Sequence, residues 1–224
     1  MLEVQKYLLN HSFEDLAKDH GIYCSFSTDG HKFSLNYDML ESKDSDPLSQ
    51  ECRGLILGFD DKAKHRPHDK QTSLKLVPGK TSIVAYGLRR FFNEGQGSAY
   101  VNWGDPNLCV MEKLDGTLIL LYFDHIKAKW HCATRSVPEA NLKNESLMTF
   151  RELFEKALLE TCNKSFDDFT LSLDKNKTLG LNGNFTVDGI TYQSQISTLN
   201  SLFVAPSVKE VAIPDTFRRA ILPQ

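Results

Sequence analysis

The residues with the clearest chemical potential are Lys113-Leu114-Asp115-Gly116-Thr117, a short turn between two β-rich runs at 108–112 and 117–123. A lysine amine is ordinarily protonated, with a pKa of about 10.4. It becomes a nucleophile only when partial desolvation or neighbouring cations drive the proton off. A tight turn between core strands supplies the first condition, and cationic side chains gathered around a phosphate supply the second. Gly116 lets the backbone turn and come close to a ligand. Asp115 is placed either to orient the lysine or to contact a metal. Three further segments carry cations near strands: Arg53-Gly54, Arg89-Arg90-Phe91-Phe92-Asn93 and Thr134-Arg135-Ser136. A guanidinium presents a fixed fork of donors suited to phosphate oxygens, and several converging on one point bind a triphosphate. Phe91 or Phe92 is suited to stack on a base, although aromatics on an apolar segment more often serve a core.

These side chains need a scaffold, and hydrophobic periodicity outlines one. Ser12 and Asp15 form a capping pair for a helix over 13–19, which Gly21 ends. Extended segments follow at 22–26 and 33–37 around the turn Thr28-Asp29-Gly30. Phe33, Leu35 and Tyr37 alternate with Ser34 and Asn36, the pattern of a half-buried strand. Residues 42–50 read as a polar loop, 52–59 as a strand, 60–80 as an exposed connection and 82–86 as a short apolar strand. A strand is expected at 129–134. After it comes a helix capped by Ser146, whose stripe of Leu147, Phe150, Phe154, Ala157 and Leu158 should pack on the sheet. Beyond residue 174 the pattern weakens to one hairpin signal, 185–187 and 190–192 around Asp188-Gly189. The expected division is 1–173 as the main domain and 174–224 as a divergent tail.

Composition limits the choices further. The 224 residues carry 26 Lys plus Arg against 29 Asp plus Glu, a formal charge of −3. Net charge alone does not hold nucleic acid, so any such binding uses a local basic cleft. No apolar run approaches the roughly 20 residues of a membrane span, and the stretch Tyr7-Leu8-Leu9 is too short for a secretory signal. The five cysteines are odd in number and widely spaced, without a C-x-x-C pair. Free thiols in a reducing compartment, cytosol or nucleus, are the expectation.

In order, Arg53-Gly54, Arg90-Phe91-Phe92-Asn93, Lys113-Leu114-Asp115-Gly116-Thr117 and Thr134-Arg135-Ser136 resemble the N-terminal half of the bacteriophage-type RNA ligase 1 family, over roughly residues 45–170. This branch of the covalent nucleotidyltransferases is shared with the adenylyltransferase domain of fungal-type tRNA ligases. The resemblance implies an α+β, ATP-grasp-like nucleotidyltransferase domain with antiparallel sheets and flanking helices. It implies ATP and Mg2+ as cofactors, and RNA bearing 5′-phosphate and 3′-hydroxyl ends, tRNA among them, as partner. Lys113 would attack the α-phosphorus of ATP; Arg53, Gly54, Arg90, Phe92, Asp115, Gly116 and Arg135 would line the nucleotide. The family pattern continues with a Phe-Glu strand, a Glu-Gly strand and a Lys-x-Lys pair. Here Phe169-Thr170-Leu171 is followed by no glutamate, and Lys175-Asn176-Lys177 comes too soon after Lys113. The expectation is therefore a ligase front half, incomplete at its C-terminus. The alternative is a catalytically incomplete protein that binds nucleotide or RNA.

Overall fold

The computed structural model describes residues 1–60, 70–87, 89–93, 95–96, 99, 101–106, 118–141, 148–171, 173–175, 178–181, 184–187, 190–193 and 196–199, with 161, 162 and those from 178 onward described by backbone alone. Lys113, Asp115 and Gly116 lie outside the described residues, as do 108–112, Ser146 and Leu147.

The chain opens with α1 (Glu3–Tyr7) and α2 (Phe13–His20). The Ser12–Asp15 capping box is present and Gly21 closes α2 at φ +61°, as the sequence predicts. Helix α1 is an addition to the sequence reading. It is held by remote groups: Glu51 Oε2 accepts the Val4 N–H at 3.1 Å, and Gln5 Nε2 donates to the Thr81 carbonyl at 2.7 Å. Strands β1 (Ile22–Phe26), β2 (Lys32–Tyr37), β3 (Arg53–Phe59) and β4 (Thr81–Ala85) then form an antiparallel sheet in sequence order. The polar stretch before β3 is not all loop. Asp46 accepts the N–H groups of Leu48 and Ser49 and Pro47 takes the first helical position, giving α3 (Pro47–Glu51). The connection to β4 contains α4 (Lys70–Leu74), and Leu74 and Leu76 pack against the core rather than lying free on an exposed loop.

Strands β5 (Ile119–Asp124) and β6 (Lys129–Thr134) belong to a second antiparallel sheet. Helix α5 (Phe150–Cys162) follows, starting at Thr149 and not at Ser146. Thr149 Oγ1 accepts the Glu152 N–H at 3.1 Å while the Glu152 carboxylate accepts the Thr149 N–H at 2.6 Å. A Thr-x-x-Glu box outcompetes a serine whose third neighbour is a threonine. Segment Phe166–Leu171 is helix α6, so Phe169-Thr170-Leu171, which no glutamate follows, lies on a helix. Then come β7 (Thr178–Leu181), β8 (Asn184–Val187), β9 (Ile190–Gln193) and β10 (Ile196–Leu199). The second sheet runs β10-β7-β5-β6, so β7 covers one edge of β5. The β8–β9 hairpin pairs Val187 with Ile190, matching the sequence signal. Among the described residues no helix is long and apolar enough to cross a membrane.

The layering follows from strand alternation. On β5, Ile119 and Leu121 join Cys132, Phe154, Leu158 and Phe166 under α5 and α6. Leu120 and Tyr122 point the other way and meet Ile56, Ala85 and Ala133, the side chains that join the two sheets. Outside the first sheet, Val4, Leu8, Phe13 and Leu16 of the helices cover Phe33, Leu35, Leu55 and Leu57. The protein is thus an α+β fold of two antiparallel sheets, face to face, with helices on both outer sides. Strand β2 is not half-exposed: Lys32 and Ser34 are as buried as Phe33 and Leu35. Its polar face meets the second sheet, where Ser34 Oγ donates to the Ser136 carbonyl at 2.8 Å and Asn36 Oδ1 accepts from Arg135.

A candidate nucleotide site at one end of the sheet interface

Arg53 owes its position to a bulge. Along β2 and β3, Leu35 faces Leu55, but the next pair is Asn36 with Arg53, so Gly54 is the extra residue. Gly54 has φ +76°, a conformation that favours glycine, and a Cβ there would lie 3.1 Å from Leu120 Cδ1 and 3.3 Å from the Arg135 carbonyl oxygen. Without the insertion, alternation would put Arg53 on the helix-covered face with Leu55. With it, Arg53 shares the face of Asn36, beside Arg135. Gly54 therefore does two jobs: it re-aims Arg53, and it lets β3 approach the end of β6.

Tyr37 is the centre of the cluster that results. The Arg90 Cζ lies 4.2 Å from its ring centroid and the Arg135 Cζ 4.7 Å, both within cation–π range. Arg53 is close enough for the Tyr37 side chain and the Arg135 charge both to act on it. Arg135 is further fixed by Nε donating to Asn36 Oδ1 at 2.8 Å and Nη2 to the Tyr37 carbonyl at 3.4 Å. Arg90 is buried and its fork is largely engaged: Nη2 pairs with Asp44 at 2.5 Å, and Nη1 donates to Ser42 at 2.8 Å and Ser49 at 3.4 Å. Phe92 is buried with its ring 5.1 Å from the Arg90 Cζ, whereas Phe91 is half-buried under Arg53 at 4.6 Å.

Arg53 differs from its neighbours. Its Nη1 is buried and has no hydrogen-bond partner among the described residues. Burial lowers its pKa below the usual guanidinium value; Tyr37 counteracts this, and the like charge of Arg135 adds to it. A buried donor without an acceptor is costly, and an anion placed between Arg53 and Arg135 would relieve both the missing bond and the repulsion.

Five of the positions singled out in the sequence, 53, 54, 90, 92 and 135, thus come from separate segments into one cluster. Lys113, Asp115 and Gly116 fall outside the described residues. Tyr37, Asn36 and Asp44 went unrecognised in the sequence. Tyr37 looks there like the last apolar position of a strand, and only the fold brings three arginines to it. No described group of three or more His, Cys, Asp or Glu side chains is arranged to hold a metal ion. The cluster's carboxylate, Asp44, is taken by Arg90.

No known protein-family profile matches the chain. It is 27% identical over 167 residues to a protein of Autographa californica nuclear polyhedrosis virus named "Putative bifunctional polynucleotide kinase/RNA ligase". The match covers 70% of this chain and 21% of the viral protein, so the chain spans about a fifth of its relative's length. It is a distant, RNA ligase-like relationship.

Proposed function

We propose that this chain carries an adenylyltransferase module of RNA-ligase type. One observation carries the reading: Arg90 and Arg135 lie over Tyr37 with Arg53 beside them, and among the described residues a buried guanidinium nitrogen of Arg53 is left without an acceptor. A triphosphate or an adenylate is the anion that this arrangement suits.

In this reading the neutral amine of Lys113 attacks the α-phosphorus of ATP. The new P–N bond forms as the bond to the bridging oxygen breaks and pyrophosphate departs. The adenylyl group then moves to a 5′-phosphate on RNA, and a 3′-hydroxyl displaces AMP to join the strands. Phosphoryl chemistry of this kind depends mainly on positioning and on cations near the developing charge. Arg53 and Arg135 supply two such cations. Arg90, braced by Asp44 and serines, holds Tyr37 from the side of α3. Magnesium would supply further positive charge on the phosphates. Asp44 is unavailable to it, and no step here is assigned to a metal.

The test is incubation with α-labelled ATP and magnesium. Label that stays on the denatured chain in alkali and is released by warm acid, as a P–N bond requires, and that is lost in Lys113→Ala, is the expected result. Absence of label on the wild-type chain over hours overturns catalysis. A second reading, reversible nucleotide binding without chemistry, draws on one observation: Phe169-Thr170-Leu171 lies on helix α6 and no glutamate follows it, so the downstream motifs of the family are not found there. Its signature is thermal stabilisation by ATP with no covalent label.

A further inference from the structure

Phe91 and Phe92 are alike in the sequence, and the fold separates them. Gly87 sets the path of the segment that carries them. A Cβ there would lie 3.1 Å from the Arg53 carbonyl oxygen and 3.4 Å from both δ carbons of Leu120, so the glycine lets the chain run close against β3. Further along, the Arg90 N–H donates to the Gln50 carbonyl at 2.9 Å. The backbone is thus held against Arg53 at one point and tied to α3 at the next, just before the two rings. Phe92 is buried and turns to Arg90, whose Cζ lies 5.1 Å from its ring centroid. Phe91 is half-buried and turns to Arg53, whose Cζ lies 4.6 Å from its ring centroid.

The two arginines are held by different chemistry. Arg90 is fixed by a carboxylate and two serines, which engage both of its terminal nitrogens. Arg53 keeps a buried Nη1 that has no acceptor among the described residues. A carboxylate in place of the Phe91 ring would neutralise Arg53 and occupy its donors, as Asp44 does for Arg90. A ring face attracts a guanidinium through its quadrupole and takes no conventional hydrogen bond from it. The attraction also helps to hold Arg53 beside the like charge of Arg135.

We infer that Phe91 is a positioning residue for the anion site: its ring holds the Arg53 guanidinium and leaves the Nη1 donor for a phosphate oxygen. Phe92, by contrast, braces Arg90. That the anion is a triphosphate rests on the function proposed above; the contact between Phe91 and Arg53 requires no chemistry at Lys113.

The test is calorimetric titration of the full chain with ATP and, separately, with inorganic triphosphate. Phe91→Leu should weaken both ligands by the same factor, about tenfold, as loss of a partly desolvated cation–π contact would. Phe91→Tyr keeps the ring and should stay within about twofold of wild type. In an Arg53→Met background, Phe91→Leu should change neither affinity further. Phe91→Met replaces Phe91→Leu if urea unfolding shows the latter to be poorly folded. Wild-type affinity in Phe91→Leu, an equal loss in Phe91→Tyr, or a further loss in the Arg53→Met background each overturns the assignment. So does a loss for ATP with triphosphate unchanged, which would make Phe91 a base-stacking residue, and so does a wild-type chain that binds neither ligand. Covalent label without these differences in affinity defeats the positioning role and leaves the adenylyltransferase reading standing. The differences without label do the reverse.

Discussion

The interface between the two sheets has two polar ends, built from the same strands to opposite effect. At the Lys32 end, every named charge has an opposite partner: Lys32 with Asp124 and Glu139, Lys127 with Asp29 and Glu139. At the Tyr37 end, among the described residues, Arg90 and Arg135 lie over the Tyr37 ring, Arg53 lies beside them over Phe91, and the one carboxylate in an ion pair with them, Asp44, is held by Arg90. Buried ionic groups that are neutralised within the chain are structural, because removing one member strands the other. Cations brought together without matching anions lower stability and wait for an anion from outside. The contrast marks where a ligand belongs more clearly than any one residue does.

Breaking the neutralised end should have the largest effect. Lys32→Ala leaves Asp124 uncompensated, and the expected cost is about 3–5 kcal/mol in urea unfolding. Lys32→Met with Asp124→Leu should recover most of it, since neither charge then remains. The unneutralised end should behave in the opposite sense. Arg53→Ala is expected to lower lysyl-adenylate formation by about 10²–10³. It should move the unfolding midpoint far less than Lys32→Ala does, because no carboxylate is stranded. If Arg53→Ala costs as much stability as Lys32→Ala and leaves labelling intact, the two ends are alike and the contrast is wrong.

Much of the frame was legible locally. The Ser12–Asp15 box, Gly21, the alternation of β2 and the β8–β9 turn are all signals carried within a few residues. Two further local signals are passed over by hydrophobic periodicity: Asp46-Pro47 for the existence of α3, and Thr149-x-x-Glu152 for the start of α5, whose apolar stripe was legible. The rest was not local. Helix α1 depends on Glu51 and Thr81, and the polar face of β2 is buried only because a second sheet, about a hundred residues later, supplies Ser136 and Arg135. At the candidate site, the arginines were legible by type and spacing. Their convergence on Tyr37 was not, because it requires the Gly54 bulge and sheet packing together.

The smallest effect sharpens the same contrast through pH. His131 stacks on Tyr122 at the neutralised end, facing Lys32, Asp124, Lys127 and Lys129. Burial first, then the like charge of Lys32, pushes its pKa down to about 4, with Asp124 opposing. As pH falls from about 6.5, the unfolded chain takes up a proton on this imidazole that the folded chain refuses, so stability declines until about pH 4. Burial raises the pKa of Asp124 and Glu139, but hydrogen bonds and ion pairs, Lys32 with the first and Thr28 with the second, outweigh it and leave both lowered. Their contribution is present above the ordinary carboxylate range and is lost below it, as pH falls through the depressed values. The two windows are therefore separable. Urea midpoints measured from pH 7.5 to 4.5 should fall in the wild-type chain and flatten in His131→Gln, whose stability at pH 7.5 should stay within about 1 kcal/mol of wild type. A flat wild-type profile would mean that His131 takes its proton in the folded chain as readily as in the unfolded one, and that this end is wetter than its packing implies.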